Sequence, residues 1–179
     1  MQSLLALSGA IDRLNDRFGR FAEWLVLGAC VISAGNATVR YLFKMSSNGW
    51  LEIQWYMFGA LVFFGASQTL RKNEHVRVDL VYASISERSR LWIDALGFGF
   101  CMLPIMVLLT VLSFRFALAS WQINEWSNSA GGLVVWPAKA ILPTGFALLA
   151  LQSVSELIKR AAMLRGEARF DTAYEKPLQ

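Results

Sequence analysis

The stretch RKNEHVRVDL, residues 71–80, holds His75, the one histidine of the chain, with a carboxylate directly before it. A neighbouring carboxylate can bring imidazole titration close to neutral pH, so this stretch is a candidate for proton or metal chemistry. Zinc and haem sites need further imidazole or thiolate ligands, and the two cysteines lie far away in the sequence. We therefore predict that His75, Arg77 and Asp79 belong to a loop held by charge pairs and hydrogen bonds, without a metal or other cofactor.

The composition places this loop in a membrane protein. The 179 residues are 55% hydrophobic and only 17% charged, which does not fit a soluble globule. Crossing about 30 Å of hydrocarbon takes about 20 helical residues, and four apolar stretches suffice. They are approximately Phe21 to Phe43, Leu51 to Leu70, Leu91 to Ser113 and Leu133 to Ile158. The predicted fold class is all-α integral membrane with four transmembrane helices, as one domain over residues 1–165, followed by a polar cytoplasmic tail over residues 166–179.

The orientation follows from lysine and arginine, which concentrate in cytoplasmic loops. Thirteen of the 17 lie before the first span, between the second and third, or after the fourth. The four near the opposite ends are Arg40, Lys44, Arg115 and Lys139. This distribution predicts that both termini and the His75 loop are cytoplasmic. Because the basic residues form no continuous stripe, we expect no nucleic-acid partner.

The residues before the first span have the pattern of an amphipathic helix, with apolar side chains at alternating spacings of three and four. The apolar set is Leu4, Leu7, Ile11, Leu14, Phe18 and Phe21. Next to a membrane span, an apolar face of this kind fits the headgroup boundary. We therefore predict an N-terminal interfacial helix, with packing against the protein's own loops as the alternative.

Opposite charges occur near the outer ends of the first two spans. Asn36 and Arg40 share a helix face at the end of the first span, and Glu52 opens the second after a short loop. An unpaired charge costs about 3 kcal/mol at the bilayer centre and less near the interface, so we predict an ion pair between Arg40 and Glu52. The alternative is that Glu52 is a coupling carboxylate, although such a group is expected deeper in the membrane. Trp50 is expected at the interface.

Local signals mark the ends and packing of the last two spans. Pro137 falls where a first helical turn tolerates proline, whereas Pro143 lies inside the apolar run and predicts a kink unless the helix starts late. Ser84 and Glu87 have the spacing of a capping box before the third span. The cysteines, at positions 30 and 101, have small or apolar neighbours, which predicts buried free thiols.

Taken in order, these elements resemble the small membrane component of tripartite ATP-independent periplasmic (TRAP) transporters, the family of the dicarboxylate transporter's small permease subunit. The matching elements are the Asn36, Arg40-Tyr41 and Phe43 exit of the first span; Trp50 and Glu52, followed by FFGAS, Phe63 to Ser67; HVRVD, His75 to Asp79; and Pro143-Thr144-Gly145-Phe146, followed by LLALQ, Leu148 to Gln152. One departure is Leu51, where many members carry a second acidic residue, so a paired-carboxylate role is not carried over to this position.

The resemblance implies a four-helix subunit of the bacterial inner membrane that is not an enzyme. Its implied partners are a large multi-span permease subunit, a periplasmic solute-binding protein that delivers an organic acid, and membrane lipids. The resemblance also implies that sodium ions drive uptake. In that family the large subunit carries the substrate and sodium sites and moves like an elevator. The small subunit resembles part of the fixed scaffold, with outer loops placed to contact the binding protein.

Two functions from other classes compete with this reading. One is a self-sufficient four-helix homodimeric exporter built around a membrane carboxylate, for which Glu52 is the candidate. The other is a membrane enzyme or electron-transfer subunit, which lacks the histidine and cysteine ligands that its cofactor needs. Both predict activity or cofactor colour in the isolated chain, whereas a scaffold subunit predicts neither.

Overall fold

The computed structural model describes residues 2–45, 47–72 and 85–167, which are almost entirely helical. The α-helices in this part of the chain are α1, Gln2–Phe43; α2, Asn48–Lys72; α3, Glu87–Leu96; α4, Leu103–Gln122; and α5, Trp136–Leu164. A π-helical segment, Gly97–Met102, joins α3 to α4, so that the two form one rod. The predicted all-α class is confirmed.

Three helical rods are long and apolar enough to cross a membrane. They are Gln2–Phe43, Glu87–Gln122 and Trp136–Leu164. The helix over the predicted second span, α2, is not among them, because glycine, serine, glutamine and tyrosine dilute its apolar residues. The structure therefore supports a helical membrane protein with three candidate spans, and the fourth span remains a prediction.

The first helix corrects the prediction of a separate interfacial helix. The 42 residues of α1 form one uninterrupted helix, which at 1.5 Å per residue is about 63 Å long, or about twice the hydrocarbon thickness. Its buried residues near the N-terminus include Ser8, Asn15 and Gly19, whereas Leu4 and Leu7 are about half exposed. The polar and small face thus packs on the protein, because partners for it exist on neighbouring helices, while Leu4 and Leu7 lie outward.

The last helix, α5, packs against every other helical element of the described chain. α1 and α2 form an antiparallel pair in which Gly19 lies against Gln68. α2 meets α5 through the edge-to-face rings of Phe63 and Phe146, whose centroids are 5.2 Å apart. The rod made by α3 and α4 makes most of its contacts with α5. The core is therefore a triangle of α1, α2 and α5, with the third rod on its flank.

The π segment has a clear local cause. Pro104, the second residue after it, has no amide hydrogen, and its ring crowds the carbonyl of the preceding turn. The amide of Leu103 instead donates to the carbonyl of Phe98, five residues earlier. A wider turn of this kind accommodates proline within a membrane helix. The side chain of Phe98 is buried in the result.

The start of α5 follows the sequence pattern in part. The helix begins at Trp136 with Pro137 in its first turn, and it continues through Pro143 without a break. Gly145, two residues further, is required by close packing, because a Cβ there would lie 2.5 Å from the Cβ of Phe63 and 3.0 Å from its carbonyl oxygen. Pro143 and Gly145 are both buried and form part of the contact between α5 and α2.

Two smaller expectations need correction. The N-cap of α3 is Ser86, whose hydroxyl accepts a hydrogen bond from the amide of Ser89 at 3.3 Å. The predicted cap, Ser84, lies outside the described residues. The cysteines are free as expected, but Cys30 and Cys101 are exposed on the surface of the chain. Their burial was predicted from small or apolar neighbours, but two of these neighbours, Val31 and Phe100, are themselves exposed.

Candidate functional site

Polar side chains on α1 and α5 face each other where the two helices cross. Ser8, Asp12 and Asn15 follow at spacings of four and three residues, so they share one face of α1. The facing residues of α5 occupy its last three turns, and one carboxylate comes from α3. We call this set the terminal network: Ser8, Asp12, Asn15, Asp94, Gln152, Ser155, Glu156, Lys159 and Arg160.

The amide of Gln152 is the centre of the network. Its Oε1 accepts a hydrogen bond from Nδ2 of Asn15 at 2.6 Å, and both side chains are fully buried. Its Nε2 donates to Oδ1 of Asp12 at 3.1 Å and to Oε1 of Glu156 at 2.9 Å. Buried amides are stable only when their donors and acceptors are satisfied. Gln152 therefore fixes the position of α1 against α5.

A chain of ion pairs continues across α5 from α1 to α3. Lys159 lies 2.8 Å from Asp12 and 2.9 Å from Glu156. Arg160 pairs with Glu156 through Nη1 and lies 3.5 Å from Asp94 through Nη2. Charges withdrawn from water in this way are tolerated because each has an opposite partner. The chain of pairs holds three helices together at one end of the molecule.

Two further contacts complete this end. The Arg160 guanidinium carbon lies 4.9 Å from the centre of the Phe98 ring, so the π segment supplies an aromatic face to a buried cation. Arg71, in the last turn of α2, pairs with Asp16 of α1 at 2.9 Å. All four helical rods are thus connected at this end by charged groups.

The opposite end is organised by the loop between α4 and α5, residues 123–135. Glu52, in the first turns of α2, accepts a hydrogen bond from the Ser127 hydroxyl and one from the Leu133 amide at 2.7 Å. Asn48 donates to the Ala130 carbonyl at 2.8 Å. We call these contacts of Glu52 and Asn48 with the loop the loop clamp. They attach the loop to the start of α2.

Main-chain contacts shape the loop so that it reaches Glu52. The amide of Ser127 donates to the carbonyl of Leu133 at 2.9 Å, which closes the loop on itself. Gly131 has a φ of 71°, in the left-handed region that glycine adopts without strain. A Cβ on Gly132 would lie 2.8 Å from Oε1 of Glu52, so only glycine lets the backbone approach this carboxylate.

A second ion pair supports the base of the loop. Lys139, in the first turn of α5, pairs with Glu125, and its ammonium lies 4.2 Å from the centre of the Phe116 ring of α4. The hydrogen bond from Lys139 lowers the pKa of Glu125 below its ordinary value, with a smaller effect from Ser120 in the same direction. The pair joins α4, the loop and α5.

The predicted ion pair between Arg40 and Glu52 is not present. Within the described ranges, Glu52 takes its hydrogen bonds from the loop, while Arg40 is exposed in the last turn of α1. The physical reason is that the loop covers the start of α2 and brings a hydroxyl and an amide to the carboxylate. At the end of α1, a cation is itself favourable next to the negative end of the helix dipole.

The remaining predicted site residues are distributed over both ends and the middle. Asn36 is half-buried in α1, and Trp50 is exposed beside the loop clamp. His75, Arg77 and Asp79 lie outside the described residues, so the prediction for their loop stays a prediction.

Sequence reasoning missed the terminal network altogether. The signal was present as a stripe of Ser8, Asp12, Asn15 and Gly19 on one helix face. The sequence pattern identified an amphipathic helix from its apolar residues and gave no role to this stripe. In a membrane protein, a polar stripe next to a span is equally a sign of helix contact through hydrogen bonds.

These features define a class of protein: a helical membrane protein that pairs its polar groups at both ends and presents apolar sides outward. A family model described as "Tripartite ATP-independent periplasmic transporters, DctQ component" matches residues 29–163. The chain belongs to this family, and it is therefore a TRAP transporter small permease subunit. Comparisons with curated proteins and with solved structures gave no match.

Proposed function

We propose that this chain is a fixed brace for the large permease subunit of a sodium-coupled importer of organic acids. In this role it stays in place in the bacterial inner membrane while the large subunit moves the substrate. The family supports the general assignment, in which a TRAP small subunit works with a large permease and a binding protein. The sodium coupling, the organic acid and the bracing role are our inference.

The observation that carries the bracing role is the separation of polar and apolar surfaces. The terminal network and the loop clamp hold the helices at both ends through paired polar groups. Between these ends the helices are apolar on the outside: Leu108 and Phe114 of α4 are each more than half exposed. A brace needs a fixed internal geometry and an apolar outer surface for lipid and a membrane partner.

We further propose that α2 is the fourth span. It lies antiparallel to α1, and at 25 residues it is about 37 Å long, which exceeds the hydrocarbon thickness. Its ends lie level with the terminal network and the loop clamp, through Arg71 and Glu52 respectively. Thirteen of the 17 lysines and arginines lie, in sequence, before the first predicted span, between the second and third, or after the fourth, so the positive-inside rule favours cytoplasmic termini.

The loop-clamp end is our candidate for contact with the solute-binding protein. Trp50, Trp55 and Trp126 are each more than half exposed there. Tryptophan is enriched both at membrane interfaces and in protein contacts. Replacing Trp50 by alanine should weaken binding of the binding protein at least tenfold if it is a central contact. Trp24, which is 71% exposed at the other end, is the matched control and should have no effect when replaced.

The decisive experiment compares uptake with and without this chain. The large subunit copurified with it is reconstituted into liposomes with the binding protein and a sodium gradient, and uptake of labelled organic acid is measured. We expect uptake only when both membrane subunits are present and sodium is supplied. Transport by this chain alone would overturn the brace and favour the homodimeric exporter. That alternative is disfavoured by Glu52, whose carboxylate is already bound by the loop.

A further inference from the structure

A groove opens on the side of the molecule between α1, α2 and the π segment. It has a volume of about 710 Å³, and Leu149 of α5 forms its floor. Val62 and Met102 contribute apolar walls, and Ala22 and Gly65 leave space because their side chains are small or missing. The groove thus lies where the third rod, which packs mainly on α5, leaves α1 and α2 uncovered.

Glu23 is an acidic residue among those that line this apolar groove. In the part of the chain that the structure describes, no hydrogen bond or ion pair reaches it. Glu23 is near the start of the apolar part of α1, and an unpaired charge at this depth is unfavourable. A cation from outside the chain would relieve the cost. The groove therefore combines an apolar interior with a site for a positive group.

Arg20 adds the complementary charge. It lies three residues before Glu23, so the two side chains share one side of α1, and its Nε donates to the Asp16 carbonyl at 3.4 Å. A positive and a negative residue about one helical turn apart match a headgroup that carries both a phosphate and an ammonium. A headgroup with only negative charge would meet repulsion from Glu23.

The size of the groove favours a lipid over a helix of a partner protein. Two turns of helix with side chains, about 10 Å wide and 11 Å long, take up about 850 Å³. The groove is smaller than this, but it falls within the roughly 300–1,000 Å³ typical of pockets for single small ligands. A flexible acyl chain can enter a narrow groove that a helix cannot.

We propose that this groove binds one phospholipid with an ammonium-bearing headgroup. One acyl chain lies between α1, α2 and the π segment, the ammonium contacts Glu23, and the phosphate contacts Arg20. The lipid fills the space that the flanking third rod leaves open. This inference does not depend on the transport role, since it concerns only how the chain itself is packed in the bilayer.

The test is native mass spectrometry of the protein purified from bacterial membranes in mild detergent, together with any partner subunit that copurifies. Gly65→Leu fills the groove, because a Cβ at Gly65 meets no atom within 4 Å. Gly59→Leu is the matched control: it lies on the same helix with the same open space around its Cβ, and it does not line the groove. We expect one bound phospholipid in the native protein and in Gly59→Leu, and none in Gly65→Leu.

The headgroup is tested by titrating delipidated protein with phosphatidylethanolamine and phosphatidylglycerol. The native chain should prefer the ammonium lipid about fivefold, the size expected of one partly exposed ion pair. Glu23→Gln should abolish this preference while still binding a lipid. An unchanged preference in Glu23→Gln would overturn the headgroup assignment.

Two other results would overturn the site itself. One is equal lipid retention in Gly65→Leu and Gly59→Leu. The other is a purified complex without lipid in which a cysteine at position 66 crosslinks to the large subunit, because a partner helix would then occupy the groove. Copurification of the large subunit is recorded in the same samples, so loss of the lipid and loss of the complex are told apart.

Discussion

The two ends of this molecule are held together by different chemistry. In the terminal network, charged and amide side chains pair with one another between helices, and Gln152, Glu156 and Arg160 are almost completely removed from solvent. In the loop clamp, one carboxylate holds a loop through a hydroxyl and a backbone amide. The first arrangement is expensive to disturb, because removing one member leaves a buried charge behind. The second affects mainly the loop, because the helices beneath it keep their own contacts.

The largest effect is expected at Arg160. Arg160→Met leaves Glu156 without its arginine partner at a buried position and removes a bond to Asp94, so unfolding should become easier by about 3–5 kcal/mol. The measurement is equilibrium unfolding in mixed detergent micelles. Arg165→Met, on the exposed last turn beside it, is the control and should change little. Equal effects of both substitutions would mean that the network contributes no more than surface charge.

Gln152 should come next. Gln152→Leu keeps the approximate volume but leaves Asn15, Asp12 and Glu156 each short of a hydrogen bond, which should cost about 2–3 kcal/mol of unfolding free energy. Asn15→Leu should cost less in this background than in the native chain, because its partner is already gone. Strict additivity of the two substitutions would contradict the hydrogen bond between them. Gln122→Leu, at an exposed position, controls for the loss of an amide.

Glu52 should affect the loop without affecting the whole molecule. Glu52→Gln neutralises the carboxylate that accepts hydrogen bonds from Ser127 and Leu133. Hydrogen exchange of the loop amides should therefore speed up about tenfold. Global unfolding should stay close to that of the native chain. Arg40→Gln should leave loop exchange unchanged, since Arg40 makes no contact with Glu52 in the described structure. Equal acceleration of loop exchange in both variants would instead support the predicted ion pair between Arg40 and Glu52.

The smallest predicted effect is on how hydrogen exchange of the loop depends on pH. The pKa of Glu125 is below its ordinary value of 4.5 because Lys139 stabilises the carboxylate. Its contribution is therefore complete above about pH 4.5 and disappears as the pH falls through the lowered pKa. The protection of the loop amides, taken relative to the intrinsic exchange rate at each pH, should fall below pH 4.5 in the native chain, and Glu125→Gln should remove that part of the pH dependence. A native profile that coincides with that of Glu125→Gln from pH 7 to pH 3 would argue against the pair.

The elements of this fold could be predicted from the lengths of apolar runs, but their faces could not. The first three predicted spans lie within observed helical segments, and the fourth does so from Trp136 onward, because a long apolar run and proline positions determine where helices form. On α1, Leu4 and Leu7 are exposed while Ser8 and Asn15 are buried, and the sequence pattern did not predict this polar face as a helix contact. Lipid accepts leucine as readily as a protein core does, so the apolar pattern does not identify the packed side.

The candidate site was harder to predict, because the residues that contact each other there are far apart in the sequence. Glu52 binds Ser127, 75 residues further along, and Asn15 binds Gln152, 137 residues away. Charge pairing between neighbours in sequence is a reasonable first expectation, and it led to Arg40 as the partner of Glu52. Only the folding of the loop onto α2 supplies an amide and a hydroxyl, and no residue type signals a backbone donor in advance.

The π segment has a consequence for insertions and deletions. Removing one residue between Gly97 and Met102 would turn this wide turn into ordinary α-helix, and each residue of an α-helix corresponds to about 100° of rotation. Asp94 would then swing about the rod axis away from Arg160, while α4 and the loop clamp kept their register. A length change at this point would thus disturb contacts in the terminal network and leave the loop clamp unchanged. The π segment therefore sets the angle by which α3 is rotated about the rod axis relative to α4.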